Sequence, residues 1–311
     1  MPDQPASNFP PFQVTRVQPG QAKTLLQHPA LEAVSGDKLR ATVETLAYPR
    51  SYSEQRPANE TARNWLTRRL QELGYRVIWQ GTYDNVIACP PTPNTQPLRL
   101  LGAHYDSVPE TPGADDNNSA IALCLEAARV LALHQVPVAI AFFNGEEEGL
   151  LGSRDFVEHF ATEVPFAISE AHIFEMVGYF STEPGSQSIP PELPIDLPQV
   201  GDFIGVLSNQ DSHAMATAVE HSAHQIHSTT PLVTLKIFGG LEQHFRDLLR
   251  SDHRPFWDAH LPALMWTDTA NFRNPHYHSA TDTPDTLNYH SLADVTRLLI
   301  GHLLLSTGVT S

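Results

Sequence analysis

The run at 136–143, VPVAIAFF, has no polar side chain in eight positions and stops at an Asn-Gly pair before three glutamates. A half-exposed strand would alternate apolar and polar residues. A short run without alternation therefore reads as a strand covered on both faces. Such strands sit inside sheets with helices packed above and below. Similar segments recur as YRVIWQG, NVIACPP, LRLLGAH, AHIFEMVGY, DFIGVL, LVTLKIF and LPALMWTD. Between them, 36–46, 59–73, 117–133, 211–226 and 289–306 carry helical spacing, with Trp65, Leu66, Leu70 and Leu73 on one face of the second. The alternation predicts a three-layer α/β/α sandwich around a mixed, mostly parallel central sheet. Residues 1–35, rich in proline and polar groups, are expected as an extension packing on the surface. Residues 36–311 are expected to form one domain.

Composition narrows the function. The 311 residues are 41% hydrophobic, enough for a sizeable core. The net charge of -16 argues against a nucleic-acid partner, which needs a basic surface. The two cysteines, Cys89 and Cys124, lack CxxC partners and read as buried free thiols. The first residues lack a signal peptide's basic start and apolar core, and no run of 18 apolar residues occurs. The expectation is a cytoplasmic protein without a membrane partner. The sequence leaves oligomeric state open.

Sites in open α/β sheets lie beyond the C-terminal ends of the strands. The residues there are His104 and Asp106, then Asp115 and Asp116, then Glu146, Glu147 and Glu148, then Glu175, then His276 and His278. Each has an ordinary explanation alone. A histidine after a strand is usually hydrogen-bonded or solvated, paired aspartates before a helix usually cap it, and glutamates in a first turn favour the helix dipole. Together they would strongly raise one another's pKa unless cations neutralise them. Imidazole and carboxylate ligands suit zinc, with manganese or cobalt as alternatives. No GxSxG, Walker loop, HExxH or GxGxxG is present.

HYDS, GADDNNSA, NGEEEGLLGS, FEMVGYFSTEPGSQ and NPHYHSATDTPDTL stand in an order that resembles metallopeptidase family 28, the co-catalytic zinc aminopeptidases. The resemblance covers roughly 36–306. It implies two zinc ions and hydrolysis of a peptide bond by a metal-bound hydroxide, most naturally at the N-terminal end of a peptide. His104 and Glu175 match ligands of one metal, Glu147 and His278 ligands of the other, and Asp116 the bridging carboxylate. Glu146 matches the general base, Asp106 the carboxylate that orients His104, and Tyr277 a donor to the developing oxyanion. Many relatives have aspartate at the position of Glu175. The resemblance also implies a cis peptide bond between Asp116 and Asn117, while Asp115 and Glu148 fall where the family varies. Asp252 and His253, in SDHRPFW, are candidates to support the site, though a helix cap at Ser251 would explain Asp252 equally well. His221, His224 and His227 read as solvated surface histidines. The loop at 181–200 is expected to shape the substrate pocket. The alternatives are a single-zinc glutaminyl cyclase and a non-catalytic peptide-binding protein on the same scaffold.

Overall fold

The computed structural model of the chain describes residues 11–91 and 96–307; the leading stretch at 1–10, part of the expected extension, lies outside them. Nine strands form one sheet: β1 (Phe12–Val17), β2 (Arg76–Gln80), β3 (Asn85–Cys89), β4 (Leu98–His104), β5 (Val138–Phe143), β6 (Ile168–Glu175), β7 (Ile204–Ser208), β8 (Leu232–Ile237) and β9 (Ala263–Thr267). Their spatial order is β1-β8-β7-β9-β6-β4-β5-β3-β2. The sheet is mixed, as expected, with as many antiparallel as parallel pairings rather than a clear parallel majority. Parallel pairing joins β9, β6, β4 and β5 at its centre, and also β7 with β8. Antiparallel pairing attaches β1 to β8, β7 to β9, and the β3–β2 hairpin to β5.

The helices are α1 (Pro29–Glu32), α2 (Gly36–Leu46), α3 (Arg56–Glu72), α4 (Ala120–Leu133), α5 (Leu151–Glu163), α6 (His213–Gln225), α7 (His253–Asp258) and α8 (Tyr289–Ser306). The apolar run in β5 shows why they need both faces. Val138, Ile140 and Phe142 enter one core with α2, α3, α4, α6 and α8. Ala139, Ala141 and Phe143 enter a second core with α5 and α7. There Phe143, Phe156 and Phe256 meet with ring centroids 5.5–6.2 Å apart. Burying each such side chain contributes roughly 1.5–3 kcal/mol. All residues of β5 are buried.

Local signals explain several boundaries. Ser35 caps α2 by accepting from Lys38 N–H at 3.3 Å, and Asn288 caps α8 through Ser291 N–H at 3.1 Å. α3 starts at Arg56, ahead of the expected 59, because Pro57 suits a first turn that needs no N–H partner. The expected surface extension needs one correction. Within it, Phe12–Val17 pairs with β8 and becomes an edge strand of the sheet. An edge strand offers few residues to the core, so its apolar alternation is weak in sequence. Cys89 and Cys124 are free and buried. Among the described residues, no helix is long and apolar enough to cross a membrane.

Candidate active site

The C-terminal ends of β4, β5 and β6 deliver the acidic and imidazole groups to one place. His104 ends β4, Glu175 ends β6, and Glu146 and Glu147 follow β5 after the Asn144-Gly145 turn. Gly145 has φ +71°, a conformation that favours glycine. Asp116 lies in the irregular π-helical turn before α4, and its peptide bond to Asn117 is cis, as expected. His278 comes from the long connection between β9 and α8.

Asp116 sits between two groups. One oxygen, Oδ1, is 3.2 Å from His104 Nε2, which is itself 3.4 Å from Glu175 Oε2. The other, Oδ2, is 3.3 Å from His278 Nε2, which is 3.3 Å from Glu147 Oε2. The expected pairings, His104 with Glu175 and His278 with Glu147, are thus brought together around a shared carboxylate. Glu175 reaches His104 with its longer side chain and is fixed there by Ser251 Oγ at 2.7 Å and Asn117 Nδ2 at 3.4 Å.

These contacts do not behave as a hydrogen-bonded cluster. Both ring nitrogens of His104, Asp116 Oδ1 and Glu147 Oε1 are buried and find no hydrogen-bond partner among the described residues. Buried polar atoms are normally satisfied, so each orphan needs an explanation. Two ligand atoms bound tetrahedrally about 2.0–2.2 Å from one cation lie roughly 3.3–3.6 Å apart. The observed spacings of 3.2–3.4 Å fit that arrangement, and the His/carboxylate set fits zinc. His104, Asp116 and Glu147 also lie close enough for one ion to draw on all three.

The electrostatics of the protein groups alone point the same way. Burial pushes Glu146 well up from the usual carboxylate range, and the charges of Glu147, Glu175 and Asp252 add to that despite His104. Burial and Asp116 raise Glu147 to about 7. Burial opposes protonation of His278, yet Asp116 and Glu147 lift it to about 10. Cations would relieve this crowding.

Backbone contacts hold the set in register. Asp106 accepts from the N–H groups of Glu146 and Glu147, at 3.2 Å each, and its Oδ1 is 3.5 Å from His104 Nδ1. It therefore orients the glutamate turn and lies beside the histidine ring. Asp282 accepts from the N–H groups of Asp115 and Asp116 at 2.9 and 3.1 Å. Asp115 points elsewhere: its carboxylate accepts from Gly178 N–H and Asn274 Nδ2 at 2.9 and 2.7 Å. Glu148 is exposed and accepts from Ser53 N–H at 2.9 Å.

The supporting candidates divide. Asp252 is buried but makes no side-chain cap bond to α7. Burial, with Glu175 and Asp106, raises it to about 7 although His104 opposes the shift. His253 serves the fold, through Leu248 O at 2.8 Å and the Trp257 ring. Tyr277 stacks on His278 with centroids 3.7 Å apart and accepts from Arg250 Nη2 at 2.7 Å. That contact uses an oxygen lone pair and leaves the phenolic hydrogen able to donate elsewhere. His221, His224 and His227 are exposed. The contacts that Ser251, Asn117 and Asp282 make with the site are not visible in the sequence. Their roles depend on distant partners, and no spacing rule marks them.

A second group, Glu170, His172 and His302, also falls within ligand distance. Trp266 Nε1–H donates to His172 Nδ1 at 3.2 Å. In the neutral ring this puts the hydrogen on Nε2, the atom that would have to bind a cation. Ser222 Oγ donates to Ala218 O, so His302 Nδ1–H donates to Ser222. The group therefore reads as a buried polar layer. Burial and neighbouring His172 push His302 down to about 3. Since the unfolded histidine titrates near ~6.5, the unfolded chain binds the extra proton below that pH. Stability due to neutral His302 is present above ~6.5 and is lost as pH falls toward ~3. Relative to His302→Gln, wild type should lose roughly 3 kcal/mol of unfolding free energy between about pH 7 and about pH 4. A difference that stays constant in urea unfolding across that range would reject the assignment.

The site opens into a cavity of about 1110 Å³. Leu193, Ile195, Phe203, Leu207, Leu248 and Met265 supply apolar wall. The expected pocket loop takes part, pinned where Ser188 N–H donates to Phe272 O at 2.8 Å and Gln187 accepts from Arg273 at 2.9 Å.

The model for peptidase family M28 matches residues 85–302, the span that contains every residue of this centre. The chain belongs to peptidase family M28. Membership makes it a hydrolase of the metallopeptidase class. This M28 chain is 34% identical over 288 residues to the uncharacterized protein YfbL of Escherichia coli (strain K12), covering 84% of this chain and 85% of that one. It resembles the crystal structure of LapA aminopeptidase from Legionella pneumophila with TM-score 0.69 at 19% identity, over 94% of this chain and 78% of the other. At that identity the likeness speaks for the fold. It also resembles the structure of BSAP, a zinc aminopeptidase from Bacillus subtilis, with TM-score 0.51 at 26% identity. That match covers 71% of this chain and spans about half, 49%, of BSAP.

Proposed function

We propose that this M28 member is an aminopeptidase that uses two divalent cations, zinc in the first instance. The observation that carries the reading is Asp116, whose two oxygens face two different His/carboxylate pairs at 3.2 and 3.3 Å. His104, Asp116 and Glu175 would hold one cation, and Asp116, Glu147 and His278 the other. Two such cations supply Lewis-acid polarisation of a peptide carbonyl and a lowered pKa for water.

The chain's own groups do the rest. Glu146 lines the cavity beside the ligand carboxylates and is positioned to take a proton from water on its carboxylate and return it to the leaving amine. Asp106 fixes that turn through two N–H contacts, so Glu146 does not have to be organised during turnover. Tyr277 keeps its hydroxyl hydrogen free for charge that develops on the carbonyl oxygen. The apolar wall suits an uncharged side chain and helps exclude water.

A single-zinc glutaminyl cyclase would leave the buried Nε2 of His104 unpartnered, a cost the two-cation reading removes. The test is zinc reconstitution followed by a panel of aminoacyl chromogenic substrates and N-terminally blocked peptides. The proposal expects release of free N-terminal residues and no attack on blocked peptides. Cleavage of blocked peptides would move the assignment to another exopeptidase or endopeptidase class. Conversion of an N-terminal glutamine peptide to its pyroglutamyl form, with release of ammonia, would assign the cyclase.

A further inference from the structure

The cavity has a charge pattern that peptide hydrolysis alone does not use. Asp116, Glu146, Glu147 and Glu175 crowd its floor, and two divalent cations would balance their four negative charges. Beyond the floor the lining contains Arg154, Arg246, Arg250 and Arg254 against two acids, Glu192 and Asp247. A wall with excess positive charge is unexpected in a chain whose net charge is -16.

The arginines differ in how far they are satisfied. Arg250 donates to Asp247, Asn271 and Tyr277 at 3.2, 2.8 and 2.7 Å. Arg254 donates to Asp258 at 3.4 Å, and Arg154 to the Gly149 carbonyl at 3.2 Å. Arg246 is exposed and has no hydrogen-bond or ion-pair partner among the described residues. Arg250 links this wall to the catalytic centre, because the ring it touches, Tyr277, stacks on His278. An anion held by Arg250 therefore lies one side chain, Tyr277, away from His278. A guanidinium fork matches a carboxylate in shape as well as charge.

We propose that Arg246 and Arg250 read a carboxylate on the substrate, so that the enzyme selects acidic peptides over neutral ones. This rests on the aminopeptidase reading for its substrate class. The carboxylate is either the free C-terminus of a short peptide or an acidic side chain next to the scissile bond. The apolar part of the lining, with Leu193, Ile195 and Met265, accepts an apolar side chain of the same substrate.

The test compares three peptides on the zinc-reconstituted enzyme: Leu-Ala-Ala as the free acid, the same peptide as its C-terminal amide, and Leu-Asp-Ala amide. At least one carboxylate-bearing peptide should exceed the neutral amide by roughly tenfold in kcat/KM, through KM. The preference should shrink as salt rises from about 0.05 M to about 0.5 M. Arg246→Met should bring the ratio toward one, and Arg246→Lys should restore part of it. Preference for the free acid assigns the terminal carboxylate, and preference for the Asp peptide assigns the side chain. Equal kcat/KM for all three overturns the inference while the hydrolase reading stands. If none is cleaved, calorimetric binding decides. Tighter binding of the carboxylate peptides upholds anion recognition without aminopeptidase activity, and equal binding ends both.

Discussion

Glu146→Gln is expected to lower kcat by roughly 10²–10⁴-fold, while the fold and the number of bound cations stay as in the wild type. The amide keeps the volume of the acid and cannot carry the proton. Glu146 is not one of the groups facing His104 or His278 within 3.2–3.4 Å, so its loss should leave the cation ligands in place. Its backbone N–H still donates to Asp106, so the glutamate turn should also persist. The measurement is a kcat and KM determination alongside metal content on the same sample. Turnover above about a tenth of wild type would remove Glu146 as the proton carrier. Loss of cations in this variant would instead mark it as a ligand.

The second large effect concerns a residue remote from the chemistry. Arg50 is fully buried, and its guanidinium donates to the carbonyls of Leu46, Tyr48, Tyr105, Pro112 and Gly113 at 2.7–3.4 Å. Tyr105 stands between His104 and Asp106, and Gly113 begins the turn that carries Asp116. Gly113 has φ +64°, and a Cβ there would meet Asp116 O at 2.3 Å. One side chain thus ties together the two loops that bring His104 and Asp116 into register. Burial lowers the pKa of Arg50, and Tyr48, Asp106, Asp116 and Asp282 partly offset this. Arg50→Met would keep much of the stem and leave the Tyr48, Tyr105 and Pro112 carbonyls without their donor, while Leu46 O and Gly113 O keep the Tyr48 and Asn118 N–H groups. The expected loss is about 3–5 kcal/mol of unfolding free energy, together with weaker zinc binding. Urea unfolding of the metal-free and zinc-loaded protein checks it. A loss under about 1 kcal/mol would mean that the two loops hold their own geometry.

Much of this architecture is legible in the residues themselves. β5 is uniformly apolar because each face meets a different core, and α2 and α8 announce their starts with Ser35 and Asn288. The chemistry-bearing residues follow the strand ends, where side chains converge without any local signal of mutual distance. The less visible parts have a common physical cause. β1 depends on β8, more than 200 positions away, and Arg50, Asn117, Ser251 and Asp282 act through partners far along the chain. His278 adopts φ +52°, a conformation uncommon outside glycine, and nothing in its neighbours foretells it. The three glutamates that end the β5 run separate by environment. Glu146 lines the cavity, Glu147 faces His278, and Glu148 turns outward to Ser53.

The central claim is that Asp116 bridges two cations. Its most direct measurement is a zinc titration of the metal-free protein by calorimetry, with metal content determined by elemental analysis after dialysis, for wild type and for His104→Ala. The account predicts two equivalents in the wild type and selective weakening of one in the variant. Saturation of carefully reconstituted wild type at a single equivalent would contradict it.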